Sequence, residues 1–236
     1  MRSIHSPMLW NQPTKWLLHP RQHLHPLRKY STRTLLEPQA KQVPAFPEFR
    51  NPHHSDLPSF LKYADRIGLD TSSTVYVGTH YEYTVQNTLE QLGMSLTRIG
   101  RANDCGIDLI GTWALKPAIF PLKVIVQCKA SQTASPSIAR ELEGAFVGAP
   151  SGWKDPGVLG FLVSQAPASK GVRDALNRSR LPMVYARCDA EGKMLQMFWN
   201  RKAAEEGLEG VRTVAKYAGG ERDSREVILT WKGEMI

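Results

Sequence analysis

Apolar and polar positions alternate with two different periods in the central part of the chain, and each period predicts one kind of element. Residues 105–113 and 122–129 are short runs rich in Ile, Val and Leu, bounded by Gly or Pro, which is the pattern of β-strands. Residues 79–93 instead repeat apolar side chains every three or four positions, which predicts a helix that stops near Gly93. The apolar positions of this helix are Tyr81, Val85, Leu89 and Leu92.

The same patterns extend to both sides of this region. Residues 59–69 predict a short amphipathic helix capped by Ser59, and residues 160–189 alternate as strand, helix and strand. Residues 191–210 predict a hairpin strand followed by a short helix, and residues 225–231 predict a last strand. Strands that alternate with helices predict an α/β domain.

Polar side chains interrupt the two central strands at positions that could meet. Successive side chains on a strand point to opposite faces, so Gln127 and Lys129 share one face while Cys128 between them points to the core. If the two strands pair, Asp108 converges with Gln127 and Lys129 at one point.

These residue types suit a metal-dependent site for phosphodiester hydrolysis. Mg²⁺ prefers oxygen ligands, usually one or two carboxylates with water and substrate phosphate. Asp108 supplies a carboxylate, Gln127 a neutral oxygen, and Glu82 on the predicted helix could add a third ligand. Lys129 could orient or help deprotonate the attacking water and offset charge on the phosphate.

Four pieces of the stretch from Gly78 to Gly144 resemble the Mrr-type branch of the PD-(D/E)XK nuclease superfamily, the restriction-endonuclease-like fold. They are a helix with Glu82, a strand containing residues 104–110 (DCGIDLI), the triplet 127–129 (QCK), and a helix beginning at residues 140–144 (RELEG). The resemblance implies an α/β fold whose core is helix, three-strand meander, helix, strand, with N- and C-terminal additions.

The extent of the resemblance gives a domain plan. It covers roughly residues 75–190, which we take as the core of a restriction-endonuclease-like domain over residues 59–236. One departure from the wider superfamily is Gln127, which stands where most members have Glu or Asp, although Gln is usual in the Mrr-type branch. It removes one negative charge and should weaken metal binding unless Glu82 compensates.

The resemblance also implies an activity, namely Mg²⁺- or Mn²⁺-dependent hydrolysis of nucleic acid, DNA more than RNA. Asp108, Gln127 and Glu82 would then hold the metal, and Lys129 would assist the attacking water. Arg140 could contact a phosphate or pair with its neighbouring glutamate. Arg101 belongs to another local basic cluster that could do the same. With one active site per chain, cutting both strands requires a homodimer or two successive nicks.

The amino-terminal segment differs in composition from the rest. Residues 1–36 hold six Lys or Arg and no Asp or Glu, which is typical of a mitochondrial transit peptide. Arg28 lies three residues before a cut after Tyr30, so we interpret residues 1–30 as the transit peptide and residues 31–58 as a Pro-rich linker. The alternative is a basic tail that contacts nucleic acid. We expect the mature protein in the mitochondrion, in the matrix.

Charge and composition exclude several other classes. The net charge is +8, but residues 1–36 carry most of it, so the remainder is nearly balanced and is not a basic nucleic-acid coat. Three Cys with no CxxC spacing predict neither a zinc site nor a disulfide scaffold, and no P-loop is present. No apolar run approaches the ~20 residues that cross a bilayer.

A transit peptide joined to an Mrr-like domain also resembles a fungal mitochondrial family known as required for respiratory growth. Loss of mitochondrial DNA upkeep would explain such a phenotype. Two other functions stay open from the sequence. The domain could bind nucleic acid without cutting it, or it could be an assembly or translation factor of the organelle that retains the nuclease fold as a scaffold.

Overall fold

A computed structural model describes residues 51–99, 105–116, 118–154, 156–217 and 225–236. None of the helices within these ranges is long and apolar enough to cross a membrane.

Several sequence predictions fall on the other residues. The predicted transit peptide, residues 1–30, lies outside the described residues, as does the linker up to residue 50. Arg101 and Asp104 lie outside them too, so their proposed roles stay predictions.

Helix α1 (Leu57–Arg66) begins at a capping box. The Asp56 carboxylate accepts from the backbone N–H of Ser59 at 2.8 Å, and the Ser59 hydroxyl accepts from the backbone N–H of Asp56 at 3.1 Å. The predicted short helix is confirmed, but it spans residues 57–66 rather than 59–69, and the prediction that Ser59 caps it is wrong. The cap is Asp56, and Ser59 is the third helical residue, which completes the box.

Helix α2 (Thr74–Glu90) begins at Ser73, whose hydroxyl accepts from the backbone N–H of Tyr76. Its buried face carries Tyr81, Val85 and Leu89, as the helical spacing predicts. This face packs on the central sheet, so α2 runs across the sheet with its polar side chains at its flanks.

Six strands form the central sheet, and they lie side by side in chain order. Their bounds are β1 (Met94–Arg98), β2 (Leu109–Trp113), β3 (Leu122–Lys129), β4 (Val158–Ser164), β5 (Met183–Cys188) and β6 (Met194–Trp199). Strands β1, β2 and β3 form an antiparallel meander, β3, β4 and β5 are parallel, and β6 is antiparallel to β5. Helices α3 (Ser137–Gly148) and α4 (Lys170–Arg178) connect the parallel strands.

This order of elements confirms the predicted α/β fold class. Helix α2 precedes the β1–β2–β3 meander, and α3 and β4 follow it. Strand β4 is the central parallel strand and is buried along its whole length, because helices cover both faces of a parallel sheet.

The first of the two central strands is shorter than predicted. Strand β3 has the predicted bounds, but β2 starts at Leu109 rather than at Cys105. Cys105 and Gly106 both have positive φ, +55° and +78°, and such a pair makes a turn rather than extended backbone. Asp108 therefore lies directly before β2, although its N–H still donates to the carbonyl of Val126 at 2.9 Å.

The hydrophobic core has two layers, one on each face of the sheet. The α2 layer contains Val124 and Val126 of β3, and the α3–α4 layer contains Ile125 between them. Trp113 is fully buried in the first layer, and its Nε1–H donates to the carbonyl of Leu92 at 2.8 Å. The alternation along β3 thus supplies both layers from one strand.

The carboxy-terminal part adds a second, three-stranded sheet. Helix α5 (Arg201–Ala203) runs into a π-helical turn (Ala204–Leu208), as the sequence predicts a short helix here. Strands β7 (Val211–Tyr217), β8 (Arg225–Trp231) and β9 (Glu234–Met235) follow. The predicted strand over residues 225–231 is confirmed as β8, but it is not the last strand, because β9 follows it and pairs with it.

Candidate active site

Four strands of the central sheet run in the same direction and end on the same side, which we call the carboxyl-end rim. The residues at their ends are Arg98 of β1, Lys129 of β3, Ser164 of β4 and Cys188 of β5. Strand β2 runs in the opposite direction, so Asp108, directly before it, lies at the same rim. Open α/β sheets bind ligands at the carboxyl ends of their parallel strands, so the predicted residues lie where a site is expected.

Asp108 is fixed at the end of β3 by the backbone of that strand. Its Oδ2 accepts from the N–H of Cys128 at 2.6 Å. Leu109 pairs with Val126 in the β2–β3 register, so Asp108, one residue earlier, faces Gln127, one residue later. The structure therefore brings Asp108 beside Gln127, as the strand pattern predicts.

Gln127 is the most buried polar side chain of the predicted set, with 4% of its surface exposed. Its Oε1 is buried and has no hydrogen-bond donor among the described residues. Its Nε2 lies against Gly106, where a Cβ would come within 2.9 Å. A glycine is needed there both for this contact and for its positive φ. A buried acceptor without a donor costs about 1–3 kcal/mol.

Lys129 forms an ion pair with Glu141 of α3, with Nζ and Oε2 2.7 Å apart. The exposed fractions of the two side chains are 32% and 46%, so solvent weakens the pair without preventing it from orienting the amine. Arg140, the other partner considered for this glutamate, is exposed on α3 and forms no ion pair with a described residue. The structure therefore places Glu141 with Lys129, which the sequence did not predict.

Glu82 projects from α2 toward β1 and forms an ion pair with Arg98. Both side chains are largely buried, with 14% and 12% exposed. The Arg98 guanidinium also donates to the hydroxyl of Thr79 at 3.4 Å and lies 5.5 Å from the centre of the Tyr83 ring. The charge of Glu82 is thus compensated within the protein, so a metal would have to compete with Arg98 for this carboxylate.

The pKa of the Cys128 thiol is shifted by its surroundings. Burial raises the pKa of its thiol well above the usual value, and the carboxylates of Asp108 and Glu82 raise it further. One carboxylate comes from the residue directly before β2 and the other from α2. A thiol held protonated in this way is a poor nucleophile.

The donor set fits a hard divalent cation. Asp108 offers a carboxylate oxygen, and the unpaired Oε1 of Gln127 offers a neutral one. No group of three or more His, Cys, Asp or Glu arranged for a metal occurs in the described ranges, so the arrangement of a structural zinc site is absent there. Mg²⁺ prefers a few protein oxygens as ligands, with water and phosphate in its remaining coordination positions.

Sequence reasoning missed the two ion pairs around these residues. Arg98 holds Glu82, a pairing that the sequence analysis does not predict. The available signal was the short connection between α2 and β1, which returns the strand alongside the helix and brings its end near Glu82. The pairing of Lys129 with Glu141 had no comparable signal, because the loop between β3 and α3 does not fix from the sequence where α3 lies relative to Lys129.

Comparison with protein families gives one matching family. A family model described as Required for respiratory growth protein 7 matches residues 73–120 and 116–216 of this sequence.

Individual relatives come from fungi. A mitochondrial protein of Schizosaccharomyces pombe, described as uncharacterized, is 34% identical over 155 residues, which cover 64% of this chain and 61% of that protein. Two proteins named Required for respiratory growth protein 7, mitochondrial, are each 29% identical to it. The one from Vanderwaltozyma polyspora matches over 57% of this chain and 76% of its own length. The one from Saccharomyces cerevisiae matches over 56% of this chain and 72% of its own. The chain thus spans about three fifths of the S. pombe protein.

Among solved structures, the MspJI restriction endonuclease in complex with a 27-mer oligonucleotide overlaps 55% of this chain and 28% of its own, with a TM-score of 0.34 and 15% sequence identity.

Proposed function

The chain belongs to the Required for respiratory growth protein 7 family, and from that premise we propose that it is a metal-dependent nuclease that hydrolyses phosphodiester bonds in nucleic acid. Its relatives are named mitochondrial, and the chain is a mitochondrial protein. The proposed activity serves the upkeep of the mitochondrial genome in the matrix and thereby respiratory growth.

One observation carries the proposal. Asp108 and Gln127 face each other by strand register at the end of β3, the buried amide oxygen of Gln127 has no partner among the described residues, and Lys129 follows two residues on. A protein that only needed a stable strand here would gain by an apolar residue at position 127, because the amide oxygen has no donor in the part of the chain that the structure describes. The resemblance of these residues to the Mrr-type nuclease motif supports the same reading.

The roles of the residues follow from their positions. Asp108 and Gln127 would hold Mg²⁺ or Mn²⁺, and such an ion, when bound, polarises a phosphate oxygen and makes water more acidic. Lys129, oriented by Glu141, holds the attacking water by a hydrogen bond and offsets the negative charge that develops on the phosphate. Glu82 keeps Arg98 at the rim, where its guanidinium can turn toward a phosphate.

DNA is the favoured substrate, because the motif resembles enzymes that cut DNA and a mitochondrial genome is the DNA available in that compartment. Arg140 is exposed on the helix that follows the site and can reach a phosphate of the bound strand. The described residues contain one such site, so cutting both strands of a duplex requires two copies or two nicks.

A second function has one observation in its favour. Glu82 and Lys129 are each satisfied by a partner within the protein, Arg98 and Glu141. A domain that binds nucleic acid or a mitochondrial partner without cutting would keep its polar groups paired in this way. In that case nothing explains why a buried amide oxygen without a donor among the described residues is kept at Gln127, and for this reason we favour the nuclease.

The test is cleavage of single- and double-stranded DNA and RNA by the full chain in Mg²⁺, in Mn²⁺ and in EDTA. Asp108→Ala and Lys129→Ala should both abolish metal-dependent cutting. Lys202→Ala is the matched control, because Lys202 is also ion-paired, to Glu205 at 2.8 Å, but follows β6 at the opposite side of the sheet.

The outcomes separate the two functions. Metal-dependent cutting that both site variants lose and the control retains would establish the nuclease. If all variants are folded and no substrate is cut in either metal, the nuclease proposal fails. The binding or assembly role then takes its place, with a steep fall of affinity with salt as the sign of nucleic-acid binding.

A further inference from the structure

A small groove opens at the carboxyl-end rim beside the candidate active site. Its cavity is about 160 Å³. One wall is the first half of α2, and the other consists of the first residue after β4 and the second residue after β5. The lining residues are Tyr76, Val77, His80, Tyr81, Gln165 and Ala190.

The groove is connected to the site through the backbone. The N–H of Gln165 donates to the carbonyl of Lys129 at 3.3 Å, and Ser164, one residue earlier, pairs with Lys129 in the β3–β4 register. One wall of the groove is therefore a direct neighbour of the residue that would hold the attacking water. The Lys129 side chain itself leaves the sheet on the other face, toward Glu141 of α3. A strand of nucleic acid that crosses the rim from that face, with a phosphate at Lys129, would bring a neighbouring nucleotide to the groove.

Aromatic side chains form the α2 wall. The rings of Tyr76 and His80, one helical turn apart, are stacked with centroids 5.9 Å apart and an interplanar angle of 22°. The ring of Phe60 packs against Tyr76 at 5.4 Å and holds it in place. Flat π surfaces that are already fixed by the fold bind bases by stacking at low entropic cost.

Polar groups complete the opposite wall. The side-chain oxygen of Gln165 accepts from the Nε2 of Gln132 at 2.5 Å, and the carbonyl of Gln165 accepts from the Nε of Arg187 at 3.0 Å. Gln165 is thus anchored from both sides. A heterocycle with hydrogen-bonding edges matches this combination of stacked rings and an amide.

We propose that this groove holds one unpaired nucleobase next to the phosphate to be cut, so that the substrate is a single strand or a frayed end. This inference rests on the proposed nuclease function and names its substrate class. A base within a duplex is stacked and paired on both sides, so it cannot enter a groove of this size without leaving the helix. The groove therefore selects strands whose bases are already free.

The test is binding in EDTA, where nothing is cut. Two labelled strands of equal length are titrated with the full chain, one with normal bases and one abasic throughout, which carries the same phosphates. His80→Ala should weaken binding of the normal strand by roughly fivefold or more, the lower end of alanine substitutions at base–aromatic stacks, and should leave the abasic strand unchanged.

A second groove variant and a control variant test whether this loss comes from the groove. Ala190→Leu fills the groove from its other wall without removing any contact of α2, and it should produce the same selective loss. His53→Ala is the matched control, because the His53 ring is also stacked on a tyrosine, Tyr63 at 5.0 Å and 11°, but does not line the groove.

The inference and the nuclease proposal fail separately. Equal losses on normal and abasic strands, or no loss in His80→Ala and Ala190→Leu, would overturn the base groove even if the chain cuts nucleic acid. A selective loss on the normal strand would support the groove even if no cutting is found. In a chain that does cut, single strands should be cut faster than duplex of the same sequence, and a reversed preference would also overturn the inference.

Discussion

Replacing Gln127 with methionine should stabilise the protein and remove its response to metal. Methionine has the same length as glutamine and fills the same space, but it has no oxygen that needs a donor. Gln127 is 4% exposed, and its Oε1 has no partner among the described residues, so the wild-type protein bears the cost of one buried unpaired acceptor.

The magnitude follows from that cost. A buried acceptor without a donor costs about 1–3 kcal/mol. Since the methionine methyl group must pack against Gly106 where the amide nitrogen now lies, we take the lower part of the range, a gain of about 1 kcal/mol. For a domain of this size such a gain raises Tm by about 2–4 °C. Added Mg²⁺ should instead favour the wild type over the variant. At about a hundred times its Kd a bound ion stabilises the wild type by about 2.7 kcal/mol, and the variant should lose most of this.

The assay is thermal unfolding of the full chain with Mg²⁺ and with EDTA. Gln86→Met serves as the matched control, because the Oε1 of Gln86 is also buried without a partner. Its Nε2, however, donates to the carbonyl of Leu96 at 3.1 Å and to Glu90 at 3.0 Å. The control substitution therefore removes the unpaired oxygen and also the two hydrogen bonds that Nε2 donates. We expect no gain in Tm and an unchanged response to Mg²⁺.

Two results would refute the reasoning. A Tm of Gln127→Met below that of the wild type in EDTA would mean that the amide oxygen is satisfied in solution. A variant that is still stabilised by Mg²⁺ as strongly as the wild type would mean that this oxygen does not hold the ion.

Three further predictions concern the strands and charges around the site. Gly111→Ala should cost more than about 3 kcal/mol in urea unfolding, because its Cβ would come within 2.0 Å of the backbone oxygen of Ser95, which no rotamer can relieve; a loss below 1 kcal/mol would contradict this. Burial lowers the pKa of His54 from its ordinary value of 6.5, so the folded protein binds fewer protons and should lose stability as pH falls below about 6.5. His54→Gln should flatten that part of the unfolding profile, and an equally steep profile in the variant would exclude the histidine. Glu141→Gln removes the charge that orients Lys129, so the rate of metal-dependent cleavage should fall roughly two- to fivefold at low salt, as for a partly exposed pair, and an unchanged rate would show that Lys129 needs no such support.

The fold was predictable where a local pattern and the tertiary structure agree. Strand β3 has the predicted bounds because its alternation serves both core layers at once. The start of β2 was missed because Cys105, a residue that is not glycine, adopts positive φ in the turn. Strand β9 was missed because two exposed residues carry no apolar signal. Such short pieces form by pairing with a neighbour rather than by their own preference.

The candidate site was predictable in its residues and only partly in its contacts. The strand pattern brings Asp108 beside Gln127 because pairing of β2 and β3 requires it. The partners of Glu82 and Lys129 depend instead on how helices α2 and α3 lie against the sheet, which a single sequence does not encode as a repeat. The groove between α2 and the ends of β4 and β5 could not be predicted at all, since its two walls come from distant parts of the chain.

That difference in sequence distance has a consequence for the order in which the molecule acquires its properties. Helix α2 and the β1–β2–β3 meander are consecutive and joined by short connections, so their contacts close small loops and can form early. The outer wall of the groove needs β4 and β5, which pair in parallel only after the chain has crossed over twice through α3 and α4. Under the proposed function, a chain that emerges unfolded in its compartment would therefore gain the groups proposed for catalysis before the wall proposed to select substrates. Selectivity would then be the late-folding property of this molecule.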